Sequence, residues 1–149
     1  MDDDLIHLLE EHQINYEIID HNEPIRSAQE GAAFFGIEIG QTAPTLILKS
    51  GTTMYAFIMS GDYGKIDFDV IKQLLQCEEL KLAKPLEVEE ATGYSVGSVP
   101  LIGHGLPTII DRRLHRYPYV YGGTGAVTST LKIGPQDIEK LNHIIAYDR

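Results

Sequence analysis

The chain has 149 residues, of which 43% are hydrophobic and 23% are charged, and its net charge is −10. This composition is typical of a globular protein and excludes a disordered one, and no apolar run approaches the roughly 20 residues needed to cross a bilayer. The single cysteine, Cys77, excludes an internal disulfide framework, and the start Met-Asp-Asp-Asp lacks the basic region of a secretory signal. We therefore expect one cytoplasmic domain over residues 1–149, with no membrane partner.

The negative charge is concentrated near the amino terminus. Residues 1–40 hold ten acids and one base, Arg26, whereas residues 41–149 hold twelve acids and eleven bases. The net charge argues against an anionic partner, but most of the chain is nearly neutral. Three of the bases form a cluster: Arg112, Arg113 and Arg116. A solvated helix face is the commoner meaning of such a cluster, and contact with phosphate is the alternative.

The first forty residues predict a helix, a strand and a second helix. Leucines repeat on one face of residues 4–12, which is typical of an amphipathic helix. A short strand, Tyr16–Ile19, follows. The sequence from Ser27 to Glu30 is typical of a capping box that opens the second helix, and Gly36 would end that helix.

The middle of the chain predicts a hairpin and a third helix. Strands over Thr45–Lys49 and Thr53–Met59 would be joined by a turn at Ser50-Gly51. Asp67 is placed to cap the helix, and Cys77 follows on its apolar side, which favours a packed thiol. Four apolar residues would face inward from this helix: Val70, Ile71, Leu74 and Leu75.

The remainder alternates helices and strands irregularly. Residues 85–92 predict a fourth helix, with Pro85 at its start and Gly93 just beyond its end. Three segments are predicted strands: Thr108–Ile110, Tyr119–Tyr121 and Ala126–Ile133. A terminal helix would begin at Pro135 and pack Ile138, Leu141 and Ile145. This order predicts an α/β or α+β fold, with a mixed sheet flanked by helices and no regular βαβ winding.

The most informative segment is residues 92–111, which read TGYSVGSVPLIGHGLPTIID. Its glycines can take positive φ and approach a ligand closely, and its prolines fix φ. By composition alone these are turns, and a wall of main-chain amides is the alternative. A second glycine segment, residues 122–125, could meet the first at one pocket, or it could form a simple β-turn.

The sequence offers no catalytic dyad and no metal-binding motif. Cys77 has no neighbouring base or positive charge to activate it, and the six histidines lack the spacing of metal ligands. The glycines at 122–125 precede a predicted strand and lack the lysine of a phosphate loop. We therefore predict no metal and no cofactor.

Residues 92–111, together with Tyr121-Gly-Gly, resemble the YbaK/ProX family of aminoacyl-tRNA deacylases, which includes the editing domain inserted in bacterial prolyl-tRNA synthetases. The resemblance implies a mixed, mainly antiparallel sheet flanked by helices. It implies hydrolysis of the ester that joins a small amino acid, such as alanine, cysteine or serine, to the tRNA 3′ end. It also implies assistance from the substrate's 2′-hydroxyl, no protein nucleophile, and a synthetase as a possible partner.

The same resemblance assigns site residues. Three residues would present their backbone to the scissile carbonyl: Gly97, Ser98 and Val99. Pro100 and Gly103 would hold the shape of that loop. His104 and Asp111 match further positions on the pocket side. Gly122 and Gly123 match the opposing wall.

One position departs from the family pattern. Many members carry a lysine where this chain has Pro44, and proline supplies neither charge nor a donor. Lys49 and Lys65 are the candidates to replace it, although Lys49 would face the opposite side of a regular strand. Two hypotheses therefore stand: a free-standing deacylase, or a member that binds aminoacyl-adenosine or aminoacyl-tRNA without hydrolysis. Docking of a partner on the acidic amino-terminal region is a third, and the sequence does not give the oligomeric state.

Overall fold

A computed structural model describes residues 3–149, so Met1 and Asp2, and with them part of the acidic start, lie outside the described residues. The helices are α1 Asp3–Glu11, α2 Ala28–Phe35, α3 Phe68–Leu75, α4 Pro85–Thr92 and α5 Pro135–Lys140, with 3₁₀ turns at Ile39–Gln41 and Arg112–Arg116. The strands are β1 Tyr16–Asp20, β2 Thr42–Ala43, β3 Thr45–Ser50, β4 Thr53–Ile58, β5 Lys81–Leu82, β6 Pro107–Asp111, β7 Val120–Gly123, β8 Ser129–Ile133 and β9 His143–Asp148. No helix in this part of the chain is both long and apolar enough to cross a bilayer.

The predicted cap residues begin and end the helices. The Ser27 hydroxyl accepts a hydrogen bond from the Glu30 amide at 3.1 Å, and Gly36 ends α2 with φ of 66°. Gly93 ends α4 in the same way, with φ of 80°. The Asp67 carboxylate accepts from two amides at the start of α3. The ends of these helices are therefore set by local sequence, because the predicted caps bond backbone groups that the helix itself leaves unpaired.

The strands form two mixed sheets. The order in the first is β1-β8-β7-β2, and the order in the second is β5-β3-β4-β6-β9. Strands β2 and β7 pair in parallel, as do β4 with β6 and β6 with β9, whereas the other pairs are antiparallel. The predicted mixed architecture flanked by helices is confirmed, and its division into two sheets goes beyond the prediction.

The main core lies around β6, β7 and β8 and includes a stretch of the glycine-rich segment. Leu101 and Ile102 are fully buried there, together with Ile110, Leu131 and Ile133. Burial of such side chains is worth about 1.5–3 kcal/mol each. The second half of the glycine-rich segment is thus an integral part of the core.

The predicted terminal helix is wrong beyond Lys140. The Asn142 side chain donates to the Ile138 carbonyl at 2.8 Å and to the Leu101 carbonyl at 2.9 Å, which ends α5 and ties its end to the core. The chain then runs as β9, parallel to β6. Ile145 lies in this strand and is 41% exposed, because successive strand side chains point to opposite faces.

The prediction for α3 is correct for only half of its apolar residues. Ile71 is buried and Leu75 packs against it, but Val70 is 42% exposed and Leu74 is 39% exposed. Eight residues form little more than two turns, so the helix buries a single narrow stripe. Cys77 is also not on the helix, which ends at Leu75; it follows Gln76 and is half-buried.

The predicted strand over Ala126–Ile133 begins only at Ser129. Gly125 has φ of 102°, and the Thr124 hydroxyl accepts a hydrogen bond from the Ala126 amide at 3.2 Å. This local turn competes with extended pairing. The Val127 and Thr128 carbonyls still accept hydrogen bonds from the segment before α2, from the Ile25 amide at 3.1 Å and the His21 amide at 2.9 Å.

Candidate active site

A cavity of about 250 Å³ lies where the two glycine segments meet. Its lining comes from residues 25–28 with Gly31 and Phe35, and from residues 42–46, 96–99, 121–123, 126–127 and 129–130. Helix α2 thus contributes one side, and the short strand β2 with the start of β3 contributes another. Six of the predicted site residues are brought together here: Pro44, Gly97, Ser98, Val99, Gly122 and Gly123.

The two glycines of β7 allow the first glycine segment to lie directly against the strand. A Cβ atom on Gly123 would lie 2.4 Å from the Val99 carbonyl oxygen, and one on Gly122 would lie 2.5 Å from the Leu101 side chain. The Leu101 amide donates to the Gly123 carbonyl at 3.1 Å. Both glycines pair with β8, so the alternative of a simple β-turn is wrong. The predicted convergence of the two segments is confirmed.

Residues 95–99, named here the Gly97 loop, form one wall. The Ser95 carbonyl accepts hydrogen bonds from both the Ser98 amide and the Ser98 hydroxyl, each at 3.0 Å. Gly97 has φ of 86°, the value that a type II turn requires at its third residue. The Gly97 and Val99 amides donate to no group within residues 3–149. They are therefore free to bind a carbonyl oxygen that carries developing negative charge.

The Ser98 hydroxyl has the surroundings of a structural group. It is buried and it donates to the Ser95 carbonyl, so its proton is already engaged inside the loop. A serine nucleophile needs an adjacent base to take this proton. The cavity lining, as far as residues 3–149 describe it, contains no histidine, carboxylate, lysine or thiol. Main-chain amides are therefore the donors that the Gly97 loop offers to a bound group.

The polar side chains of the lining are few. Thr130 lies beneath the cavity with its hydroxyl 3.0 Å from His21 Nε2, and the Ser129 hydroxyl lies 2.6 Å from that of Thr124. The Thr45 hydroxyl is buried and has no hydrogen-bond partner within the described residues. Arg26 is the charged side chain among the described lining residues. In the same part of the chain, no group of three His, Cys, Asp or Glu side chains is placed to hold a metal ion.

Pro44 lines the cavity, but neither candidate lysine does. The Pro44 carbonyl accepts from the Met59 amide at 3.1 Å, so this residue links β2 and β3. Lys49 lies four residues beyond Thr45, roughly 13 Å along the strand. Its ammonium forms an ion pair with Glu87 of α4, which holds the pKa of that carboxyl below its usual range. Lys65 is exposed in the loop that precedes α3.

His104 is buried in the fold and does not line the cavity. Its Nδ1 accepts from the Leu106 amide at 3.2 Å, and its Nε2 makes no hydrogen bond of normal geometry within residues 3–149. Burial lowers the pKa of His104 to about 4, and nearby Asn142 offsets part of this effect. Pro100 and Gly103 also lie outside the lining, with Gly103 in a turn at φ of 83°. Their predicted role in shaping the loop stays a prediction.

Asp111 lies at the end of β6, is fully buried and does not line the cavity. Its carboxylate accepts from the Ser60 amide at 3.0 Å and the Arg113 amide at 2.9 Å, and it pairs with the Arg113 guanidinium at 3.3 Å. Arg116 pairs with Asp62 at 3.0 Å and thereby lowers the pKa of that carboxyl. The placement of Asp111 thus fits a stabilising role better than the predicted position on the pocket side.

The arginine cluster is only partly a solvated face. Arg113 and Arg116 are held by carboxylates of the fold, and Arg112 packs over the Tyr147 ring at 4.9 Å. None of the three lines the cavity. Sequence reasoning instead missed the role of residues 25–28 as lining. The available signal was Arg26, the one base among ten acids in residues 1–40.

Comparison with known proteins identifies the family of this chain. Residues 22–141 match the family described as the aminoacyl-tRNA editing domain. The proline--tRNA ligase of Solidesulfovibrio magneticus is 29% identical over 123 residues, which are 81% of this chain and 21% of that enzyme. That of Caldicellulosiruptor bescii is 29% identical over 60% of this chain and 16% of that enzyme. The chain therefore spans only about a fifth of the length of these relatives.

Solved structures give matches over nearly the whole chain. A hypothetical protein superposes with a TM-score of 0.88 and 26% identity, covering 97% of each chain. A proposed trans-editing enzyme for prolyl-tRNA synthetase superposes with a TM-score of 0.83 and 28% identity, covering 95% of this chain and 91% of its own. The family match covers most of the length of the chain, and the chain therefore belongs to the aminoacyl-tRNA editing domain family.

Proposed function

We propose that this protein hydrolyses mischarged aminoacyl-tRNA that carries a small amino acid of the alanine, cysteine or serine class, and that it acts in trans, in the cytoplasm. Water attacks the ester carbonyl, the bond to the ribose oxygen breaks, and that oxygen leaves as a hydroxyl. The products are the free amino acid and uncharged tRNA. A synthetase or another factor would select the tRNA.

The observation that carries this proposal is the glycine-lined cavity itself, in which Arg26 is the one charged side chain among the described lining residues. The Gly97 and Val99 amides are free to stabilise the oxyanion, and such donors typically contribute about 10²–10³ in rate. No described lining side chain is a carboxylate, histidine, lysine or thiol that could act as general base, so activation of water would fall to the substrate's 2′-hydroxyl, as the family resemblance implies.

The direct test is a deacylation panel. Purified protein should release amino acid from at least one of Ala-, Cys- and Ser-charged tRNA faster than spontaneous hydrolysis does. A correctly charged tRNA bearing a bulky amino acid is the matched control, and its ester should survive. No acceleration on any member of the full panel would reject the enzymatic proposal.

The second candidate is a member that binds aminoacyl-adenosine without turnover, and Pro44 is the observation that favours it. Pro44 lines the cavity but brings no charge or donor. On this alternative a non-hydrolysable aminoacyl-adenosine analogue binds while turnover stays absent. Undetectable binding at millimolar analogue would remove it.

The variant Pro44→Lys distinguishes the two candidates. If only the missing lysine limits the reaction, kcat/KM should rise by about tenfold, which corresponds to about 1.4 kcal/mol of transition-state stabilisation. Pro44→Ala is the control, because it removes the proline ring without adding charge. Equal rates for both variants and the parent would show that the site does not depend on a lysine at this position.

A further inference from the structure

The proposed substrate brings negative charge to a cavity whose lining is almost entirely uncharged. The tRNA 3′ end carries a phosphate on the nucleotide that bears the ester, so any site that holds the ester also lies near an anion. Among the described lining residues, Arg26 supplies the charged side chain, and the remainder are apolar, hydroxyl-bearing or glycine. On the strand side of the cavity, Pro44 occupies the position where the family resemblance implies a lysine.

Within residues 3–149, Arg26 has no competing partner. Of the arginines in residues 3–149, Arg113 and Arg116 form ion pairs with carboxylates, and Arg112 and Arg149 each pack over a tyrosine ring. Arg26 makes neither kind of contact and is exposed, although ten acids lie in the first forty residues. A guanidinium without a carboxylate partner is available to an external anion at no cost in broken ion pairs.

The backbone on both sides of Arg26 is fixed. The Ile25 amide donates to the Val127 carbonyl at 3.1 Å, which ties the segment to the opposite edge of the cavity. Ser27, directly after Arg26, caps α2 through its bond from the Glu30 amide. The Arg26 Cα is therefore held at the cavity rim while its side chain stays free. A planar guanidinium at such a position can bind phosphate through two parallel hydrogen bonds.

We propose that Arg26 binds the phosphate of the substrate's terminal nucleotide and thereby positions the ester against the Gly97 loop. This inference rests on the proposed function for its ligand. Arg26 is a positioning residue and takes no part in proton transfer. Arg26 supplies a positive charge for the phosphate from the α2 side of the cavity. Pro44 lies on the strand side and carries no charge that could do the same.

The test compares substrates with and without the phosphate. Arg26→Gln should lower kcat/KM on the charged tRNA by about tenfold to a hundredfold, the usual effect of losing a charge-assisted bond. Arg26→Lys should retain part of the activity, because it keeps the charge but loses the paired geometry. On aminoacyl-adenosine without a 5′-phosphate, both variants should match the parent protein. The salt dependence on tRNA should also weaken by about 0.7 in log–log slope.

Arg112→Gln is the matched control, since it removes an exposed arginine that does not line the cavity. It should leave kcat/KM on both substrates unchanged. Thermal unfolding of Arg26→Gln should coincide with that of the parent, which excludes misfolding. Equal losses on both substrates, or no loss on tRNA, would overturn the role of Arg26.

A binding measurement separates this inference from the proposed function. If the parent protein hydrolyses nothing, the probe becomes an amide-linked alanyl-adenosine analogue, prepared with and without a 5′-phosphate. The phosphate should then tighten binding to the parent by at least about tenfold and leave binding to Arg26→Gln unchanged. Equal affinities for the two analogues, or no binding of either, would overturn the inference.

Discussion

The two halves of the glycine-rich segment, residues 92–111, have different roles in the structure. Its first half, around Gly97, faces the cavity with unpaired amides and no charge. Its second half, from His104 to Asp111, is mostly buried and contains the neutral His104 imidazole and the ion-paired Asp111 carboxylate. One continuous motif therefore supplies both the candidate chemistry and the framework that holds it. Substitutions in the first half should affect activity, and those in the second half should affect stability.

The largest effect is expected at Asp111. In Asp111→Ala the Arg113 guanidinium loses one of its two carboxylates and the Ser60 amide loses its acceptor. Breaking a buried pair typically costs about 3–5 kcal/mol of unfolding free energy. Urea denaturation measures the loss. The control is Asp69→Ala at an exposed ion pair, which should cost at most about 1 kcal/mol. Similar small losses for both variants would contradict the structural role of Asp111.

The second effect is a pH dependence carried by His104. Its pKa is about 4 in the folded protein and 6.5 when unfolded, so the unfolded chain binds the proton first as the pH falls. The unfolding free energy should therefore decrease between pH 6.5 and pH 4, by about 3 kcal/mol in total, and be unaffected by this group above pH 6.5. His104→Gln should remove this part of the slope. The exposed His143→Gln should leave it in place, and parallel profiles for parent and His104→Gln would refute the assignment.

The third effect distinguishes two adjacent glycines of β7. Gly123→Ala would place a Cβ against the Val99 main chain, which cannot rotate away, so the Gly97 loop must move. We expect a fall in kcat/KM of about a hundredfold, or about 2.7 kcal/mol. Gly122→Ala instead meets the Leu101 side chain, which can shift. Its loss of activity should be smaller, and the reverse order would contradict the close approach at Gly123.

The smallest effect is expected at Gly97 itself. A Cβ there has nothing within 4 Å, so Gly97→Ala strains the backbone at φ of 86° without crowding the cavity. The strain costs about 1–2 kcal/mol, and activity should fall by roughly tenfold as the turn relaxes. Gly51→Ala is the control, because Gly51 also has positive φ and open space but lies in the β3–β4 turn. It should lose similar stability and no activity.

Local sequence was sufficient to predict most helices and to recognise the family. Ser27, Asp67 and Gly93 cap their helices as predicted, because capping depends on residues within one turn of each other. The family resemblance carried by residues 92–111 and Tyr121-Gly-Gly pointed to the wall formed by Gly97 and the opposing glycines, whereas composition alone indicated only turns. Glycine takes positive φ more readily than any other residue, so a backbone that needs this conformation is marked by glycine in the sequence.

Contacts between distant segments were decided only by the tertiary structure. The sequence does not show that Lys49 meets Glu87, that Asp111 meets Arg113 instead of the cavity, or that the chain near Ile145 becomes a strand beside β6. Arg26 likewise reaches the cavity only because Ile25 is tied to a loop a hundred residues later. Pairing across sheets depends on topology and register, and spacing along the chain does not fix either. The sequence therefore determined that a backbone-lined site exists, and the fold determined which charges surround it.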